Sequence, residues 1–150
     1  MINSKGRLDI ATFALGCFWS PDDYFSKLDG VIKTRVGYTG GTTLNPTYHN
    51  LGDHTETVEI TFDSSKIPYE TLLDHFWKQH DPTIPQVKQY RSAIFTNDKN
   101  QKMIAEKSFI NQQQQTPGII LTTIETVSTF YEAEEYHQKY HQKMRKKMEC

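Results

Sequence analysis

The order in which short alternating runs and amphipathic runs follow one another constrains this chain more than any other feature. Leu8 to Leu15 is a largely apolar run closed by Gly16, as expected for a buried strand. Ser20-Pro21-Asp22-Asp23 then offers a helix start, with Ser20 as cap, an early proline and acidic groups at the positive helix end; the helix should stop near Gly30. Val31 to Tyr38 and Thr57 to Phe62 alternate as strands do. Pro68 opens a second helix, with Leu72, Leu73, Phe76 and Trp77 on one stripe and a stop at His80-Asp81-Pro82. Ser92 to Phe95 reads as a strand, 98–113 as a polar helix and 119–124 as a strand, and a last helix is expected from about Tyr131. The sequence therefore spells β-α-β-β-α-β followed by α-β-α. The first six elements have the split β-α-β order. This predicts an α+β two-layer sandwich, with a ferredoxin-like core and additional C-terminal α-β-α elements.

At 150 residues one domain spanning 1–150 is expected, with a core of its own. The 17 basic and 18 acidic residues nearly cancel, so no global field draws the chain to nucleic acid or an anionic membrane. No apolar run is long enough to span a bilayer, and the first residues do not read as a secretory signal. The expectation is a cytoplasmic monomer whose partners are small molecules or protein segments. The two cysteines, Cys17 and Cys150, are too few for a disulfide framework and lack the paired spacing of a structural zinc site.

Cys17 follows Gly16 where a strand hands over to a helix, beside the unpaired amides of the first helical turn. Such amides stabilise a thiolate. A free cysteine titrates near about 8.5, so a lowered pKa would have direct kinetic value. Position alone leaves two readings open, a reactive sulfur or a small side chain filling space below the turn. Phe18 and Trp19 then place two aromatic faces directly after the thiol, either as an apolar pocket or as ordinary core.

The segment Gly16-Cys17-Phe18-Trp19 resembles the active-site signature of the peptide methionine sulfoxide reductase A family. The resemblance continues in order through Gly37-Tyr38-Thr39-Gly40-Gly41, Asn45-Pro46-Thr47-Tyr48, His54-Thr55-Glu56, His80-Asp81-Pro82-Thr83 and Gln89-Tyr90-Arg91-Ser92, and ends in Ala133-Glu134-Glu135-Tyr136-His137-Gln138-Lys139-Tyr140. It implies that Cys17 is the nucleophile, that Phe18 and Trp19 cage the substrate's S-methyl group, that Glu56 protonates the sulfoxide oxygen and that Tyr48 and Tyr90 hydrogen-bond to it. It further implies the S epimer as substrate, protein-bound or free, a sulfenic acid intermediate, no cofactor, and regeneration by thioredoxin or another thiol reductant. The residue types suit this chemistry, because a sulfoxide sulfur is a poor electrophile until its oxygen is protonated or strongly hydrogen-bonded.

Two departures stand out. Family members usually carry a longer segment containing an aspartate before the Gln-Tyr-Arg-Ser motif, whereas here only 84–89 joins Thr83 to Tyr90, leaving Asp81 or Asp53 as substitutes. The chain also closes on Arg145-Lys146-Lys147-Met148-Glu149-Cys150, so Cys150 is the candidate resolving cysteine, against a reading as an incidental thiol. Rival functions are a non-catalytic module that binds methionine sulfoxide or a peptide, a thiol peroxidase, and a metal protein using His137 and His141 at i,i+4 spacing; a solvated helix face explains those histidines as well. Gly37-Tyr38-Thr39-Gly40-Gly41 lacks the glycine order of a dinucleotide site.

Overall fold

A computed structural model describes residues 7–149; Cys150 lies outside the described residues. Eight-residue β1 (Leu8–Leu15) leads into α1 (Trp19–Ser26), then β2 (Val31–Thr39), β3 (Thr55–Asp63) and α2 (Tyr69–Lys78). A 3-10 turn at Lys88–Tyr90 precedes β4 (Ser92–Thr96) and the long α3 (Lys99–Gln115); β5 (Thr123–Thr126), β6 (Tyr131–Glu132), a second 3-10 turn at Glu135–His137 and α4 (Tyr140–Glu149) follow. Among the described residues the strands form one mixed six-stranded sheet, ordered β5-β4-β1-β3-β2-β6, and the fold is α+β. Among the described strands only the β4–β5 pair is parallel.

The period-two pattern of β1 explains how the sheet is covered. Ala11, Phe13 and Leu15 join the main core with Phe25 of α1, and with Leu72 and Phe76 of α2. Phe13 packs its ring 5.8 Å from Phe25 and 5.0 Å from Phe76. The intervening Ala14 faces the other way, into a small cluster with Ala93, Phe95 and Val127. α3 is less amphipathic and buries Gln101 and Ala105; its Asp98 cap accepts a 2.8 Å bond from the Gln101 amide.

Three expectations need correction. Residues 119–122 are not strand: Ile119 and Leu121 are exposed, and pairing with β4 begins only at Thr123. Three apolar residues in a row, Ile119 to Leu121, suggested a buried strand, but of residues 119–122 only Ile120 and Thr122 turn inward. The last helix does not begin at Tyr131. Tyr131 and Glu132 instead extend the sheet as partners of Tyr38 and Gly37, and the Ala133 amide donates to Val36 O at 2.9 Å. The open edge of β2 takes this segment up, and Gly37 makes room for it, because a Cβ there would lie 2.3 Å from Tyr131 O. Lys139, at φ +55, separates the 3-10 turn from α4.

The third correction concerns the start of α1. Its cap is Phe18 rather than Ser20, and no side chain of the cap residue bonds the first amides. Those amides are left to groups from elsewhere in the chain.

Candidate active site

Gly16, at φ +98, turns the chain sharply between β1 and α1, a conformation that favours glycine. This leaves Cys17 exposed while Phe18 points into the core, 1 % exposed. The two free amides that follow are both used. The Trp19 amide hydrogen-bonds the Cys17 sulfur, and the Phe18 amide donates to Glu56 Oε1 at 3.2 Å. Glu56 lies opposite Tyr38 in the β2–β3 register and is 1 % exposed. Its second oxygen, Oε2, accepts a 2.7 Å bond from the Gln89 amide.

The electrostatics differ from the sequence expectation for the thiol. Partial burial of its sulfur pushes the Cys17 thiol up; the Trp19 amide opposes this, and the nearby Glu56 charge adds to it, so the net shift is upward. The expected amide is present but does not win. Burial likewise raises Glu56 against the lowering effect of the Gln89 and Phe18 donors. Desolvation, the Glu56 charge and a hydrogen bond to Tyr48 push Tyr90 up to about 12, so its phenol keeps its proton.

Tyr48 comes from the irregular 40–54 segment, in a turn where the Thr47 and Asn50 backbones pair with each other. Its own amide donates to Glu134 Oε2 at 3.0 Å, while the buried Tyr38 hydroxyl donates to Glu134 Oε1 at 2.8 Å. Burial opposes ionisation of Glu134, but these donors outweigh it and lower its pKa, so the carboxylate anchors the turn in its charged form. The Tyr48 ring lies 4.7 Å from His137, which also contacts Phe18 at 5.1 Å and Trp19 at 5.7 Å. Trp19 stacks on Tyr140 at 3.7 Å and 10°.

Cys17, Glu56, Tyr48, Tyr90, Phe18 and Trp19 are thus brought to one end of the sheet. Neither substitute aspartate hydrogen-bonds to them, although Asp81 lines a small cavity together with Tyr90. Asp81 Oδ1 is taken up by the Thr83 amide and hydroxyl, and Asp53 by the amides and hydroxyls of Thr42 and Thr43. Gln89 is the residue of the short segment that touches Glu56. Thr55 holds that segment in place, donating to Lys88 O at 2.9 Å and accepting from Arg91 Nε at 2.8 Å. A small cavity of about 110 Å³, lined by Gly16, His80, Tyr90 and Ser92 among others, opens beside it. A larger one of about 850 Å³ between α2 and α3 shares no residue with the site.

The chain matches the family described as peptide methionine sulfoxide reductase over residues 9–150. It is 47% identical over 145 residues to the peptide methionine sulfoxide reductase MsrA of Methanothermobacter thermautotrophicus, covering 89% of this chain and 86% of that protein. The chain belongs to the peptide methionine sulfoxide reductase family. Reduced Mxr1 from Saccharomyces cerevisiae superposes with a TM-score of 0.86 at 28% identity, covering 91% of this chain and 85% of that one. Mxr1 in complex with Trx2 superposes at 0.69 with 25% identity, covering 89% and 84%. As a methionine sulfoxide reductase, the chain is an oxidoreductase, and a binding-only module is not favoured. Among the described residues no group of three or more metal-ligating side chains is present, and His137 and His141 do not share a helix face. His137 sits in the 3-10 turn among aromatic rings, whereas His141 lies in α4, 3.2 Å from the Ser20 hydroxyl.

Sequence reasoning passed over Gln89 and Glu134 as individual actors and read His137 only as a candidate metal ligand or a residue of a solvated helix face. All three lie in the motif segments that carried the resemblance, but their roles depend on contacts 33 to 118 residues away along the chain.

Proposed function

We propose that the protein reduces the S epimer of methionine sulfoxide with Cys17 as nucleophile and Glu56 as proton donor. The observation that carries this is the pairing of both groups on one helix start: adjacent amides hold the Cys17 sulfur and Glu56 Oε1, burial shifts both groups toward the protonated state, and the Glu56 charge adds to the shift of Cys17. The useful state has one proton on the pair, carried by Glu56. A neutral Glu56 no longer opposes the thiolate, and the Trp19 amide then favours it.

Glu56 delivers its proton to the sulfoxide oxygen, with the Tyr48 and Tyr90 phenols as further donors. The thiolate supplies two electrons and takes the oxygen, so Cys17-SH and sulfoxide become Cys17-SOH and thioether. Phe18 and Trp19 enclose the S-methyl group. A second thiol condenses with the sulfenic acid, releasing water and leaving a disulfide for a dithiol to reduce. A thioredoxin is the natural dithiol, a reading supported by the Mxr1 complex with Trx2. Cys150 is the candidate resolving thiol within the chain.

In the same proposal the β4-β1-β3-β2 order, shared by the first six elements, makes the centre a ferredoxin-like split β-α-β core within a two-layer, single-domain sandwich. The protein would act as a cytoplasmic monomer. No helix among the described residues is long and apolar enough to cross a membrane.

Incubation with each resolved epimer and dithiothreitol tests the reaction: methionine should form from the S epimer alone. Methionine formed equally from both, or from neither, defeats the proposal. Mass spectrometry after one equivalent of sulfoxide tests recycling, with a Cys17–Cys150 disulfide expected. A persistent sulfenic acid on Cys17, with undiminished thioredoxin-linked turnover in Cys150→Ser, would make Cys150 incidental.

A further inference from the structure

We propose that His137 is a positioning residue for substrate: in its neutral form, with the ring proton on Nε2, it fixes the Trp19 indole as a wall of the methyl cage. The proposal rests on the assignment of Phe18 and Trp19 as that cage.

The tautomer follows from donor inventory. An indole has one N–H and no acceptor, and Trp19 Nε1 lies 3.0 Å from His137 Nδ1. Nδ1 must therefore present its lone pair, which puts the ring proton on Nε2. That nitrogen is buried and has no hydrogen-bond partner. Burial also lowers the pKa of His137, against the charge of Glu134, so the imidazolium is disfavoured. A doubly protonated ring would in addition turn a hydrogen on Nδ1 toward the Trp19 hydrogen. A buried polar nitrogen left without a partner is uncommon and calls for a reason. The reason available is the other nitrogen, which gives the indole edge its only directional contact.

Stacking on Tyr140 holds one face of Trp19 but leaves the ring free to turn in its own plane. The bond to His137 removes that freedom. His137 in turn cannot follow the indole, because the two residues that follow it are pinned. Gln138 donates from Nε2 to Val36 O at 2.9 Å and accepts the Val36 amide at 2.9 Å, acting as one more rung on the β2 edge. The Lys139 amide donates to the fully buried Asp22 of α1 at 2.8 Å. His137 also packs against Phe18 and Tyr48, so one imidazole braces three of the groups that face the substrate. A pocket that selects a methyl group by shape needs walls that do not yield.

The test has one structural and one functional arm. Long-range proton–nitrogen correlation spectra of the wild-type imidazole should show Nδ1 without hydrogen and Nε2 with it. In single turnover, His137→Phe keeps a ring but no acceptor, and the half-saturating sulfoxide concentration should rise by roughly tenfold, the scale of one oriented hydrogen bond. The limiting rate at saturation should stay within about threefold, since the interaction serves binding rather than the chemical step. His137→Asn, which places an oxygen near the Nδ1 position, should recover most of the affinity. Adding His137→Phe to Trp19→Phe should change nothing further. In a Trp77→Phe background, where Trp19 is the sole indole, its emission should shift in His137→Phe and return in His137→Asn.

A proton found on Nδ1, unchanged affinity in His137→Phe, or His137→Asn no better than His137→Phe would each overturn the proposal. Should His137→Phe fail to fold, the tautomer and His137→Asn decide alone. If the protein reduces no sulfoxide, the reading of function fails while tautomer and emission still report on the positioning.

Discussion

The two halves of the site are built differently. The proposed nucleophile and acid, Cys17 in the β1–α1 turn and Glu56 on β3, share adjacent amides at the start of α1. Their relative position is set by the β1–β3 ladder, which pairs Phe13 with Val58. The phenols proposed to bind oxygen and the back of the proposed methyl cage come instead from irregular segments. Tyr48 depends on Glu134, Tyr90 on the short 84–89 connection, and Trp19 on His137 and Tyr140. The lesson is a division of labour. The groups proposed to exchange electrons and protons stand at regular elements, while those proposed to surround the substrate are held by contacts that close late in the chain.

That contrast is sharpest for the nucleophile. Cys17→Ser should abolish methionine formation while leaving the fold intact, since a hydroxyl is not ionised near neutral pH. Turnover of the S epimer at even about a tenth of the wild-type rate would take Cys17 out of the mechanism.

Glu56→Gln keeps shape and a donor but has no proton to give. A loss of ~10²–10⁴ in the single-turnover rate is expected. An unchanged rate at pH 7 would remove Glu56 as the acid and place oxygen activation on the phenols alone.

The looser half should respond in a different way. Glu134→Ala frees the Tyr48 amide and the buried Tyr38 hydroxyl, and loss of charged hydrogen bonds of this kind costs about 1.5–3 kcal/mol. Chemical denaturation should register that loss, and activity should drop by roughly tenfold through misplacement of Tyr48. If stability falls while activity is unaffected, the Tyr48 turn is held by other contacts and the division is less clear than drawn.

The smallest effect is in pH dependence. Glu56 ordinarily titrates near 4.5, and burial holds it higher in the folded protein. A folded-state pKa raised in this way favours folding fully below about 4.5 and loses that contribution as pH rises through the folded value. Wild type should therefore lose stability relative to Glu56→Gln as pH increases from about 4 to 8, by about 1.4 kcal/mol for each unit of raised pKa. A constant difference across that range would mean that Glu56 is not desolvated in the folded state.

Much of the framework was legible in the residue order. Leu8 to Leu15 ends where expected because Gly16 cannot continue a strand at φ +98, and Leu72, Leu73, Phe76 and Trp77 carry their own periodicity into α2. The family motif brought out Cys17, Phe18, Trp19, Tyr48, Glu56 and Tyr90. The start of α1 was misread for an instructive reason. Ser20 has the chemistry of a cap, but the first amides are taken by Cys17 and by Glu56 from β3, a partner 38 residues away. Local preference does not see such a competitor.

The sequence by itself determined the elements whose signals are local: alternation in the strands, the apolar stripe of α2, glycine at the turn and the run of motifs around the thiol. Tertiary structure alone decided that residues 131–132 become an edge strand instead of a helix, because the unpaired backbone of β2 is satisfied there. It likewise decided that Gln89 meets Glu56, and that His137 turns inward to Trp19. It also set the direction of the Cys17 shift, since a helix-start amide is visible in the order of residues whereas desolvation and the Glu56 charge depend on what packs around the sulfur.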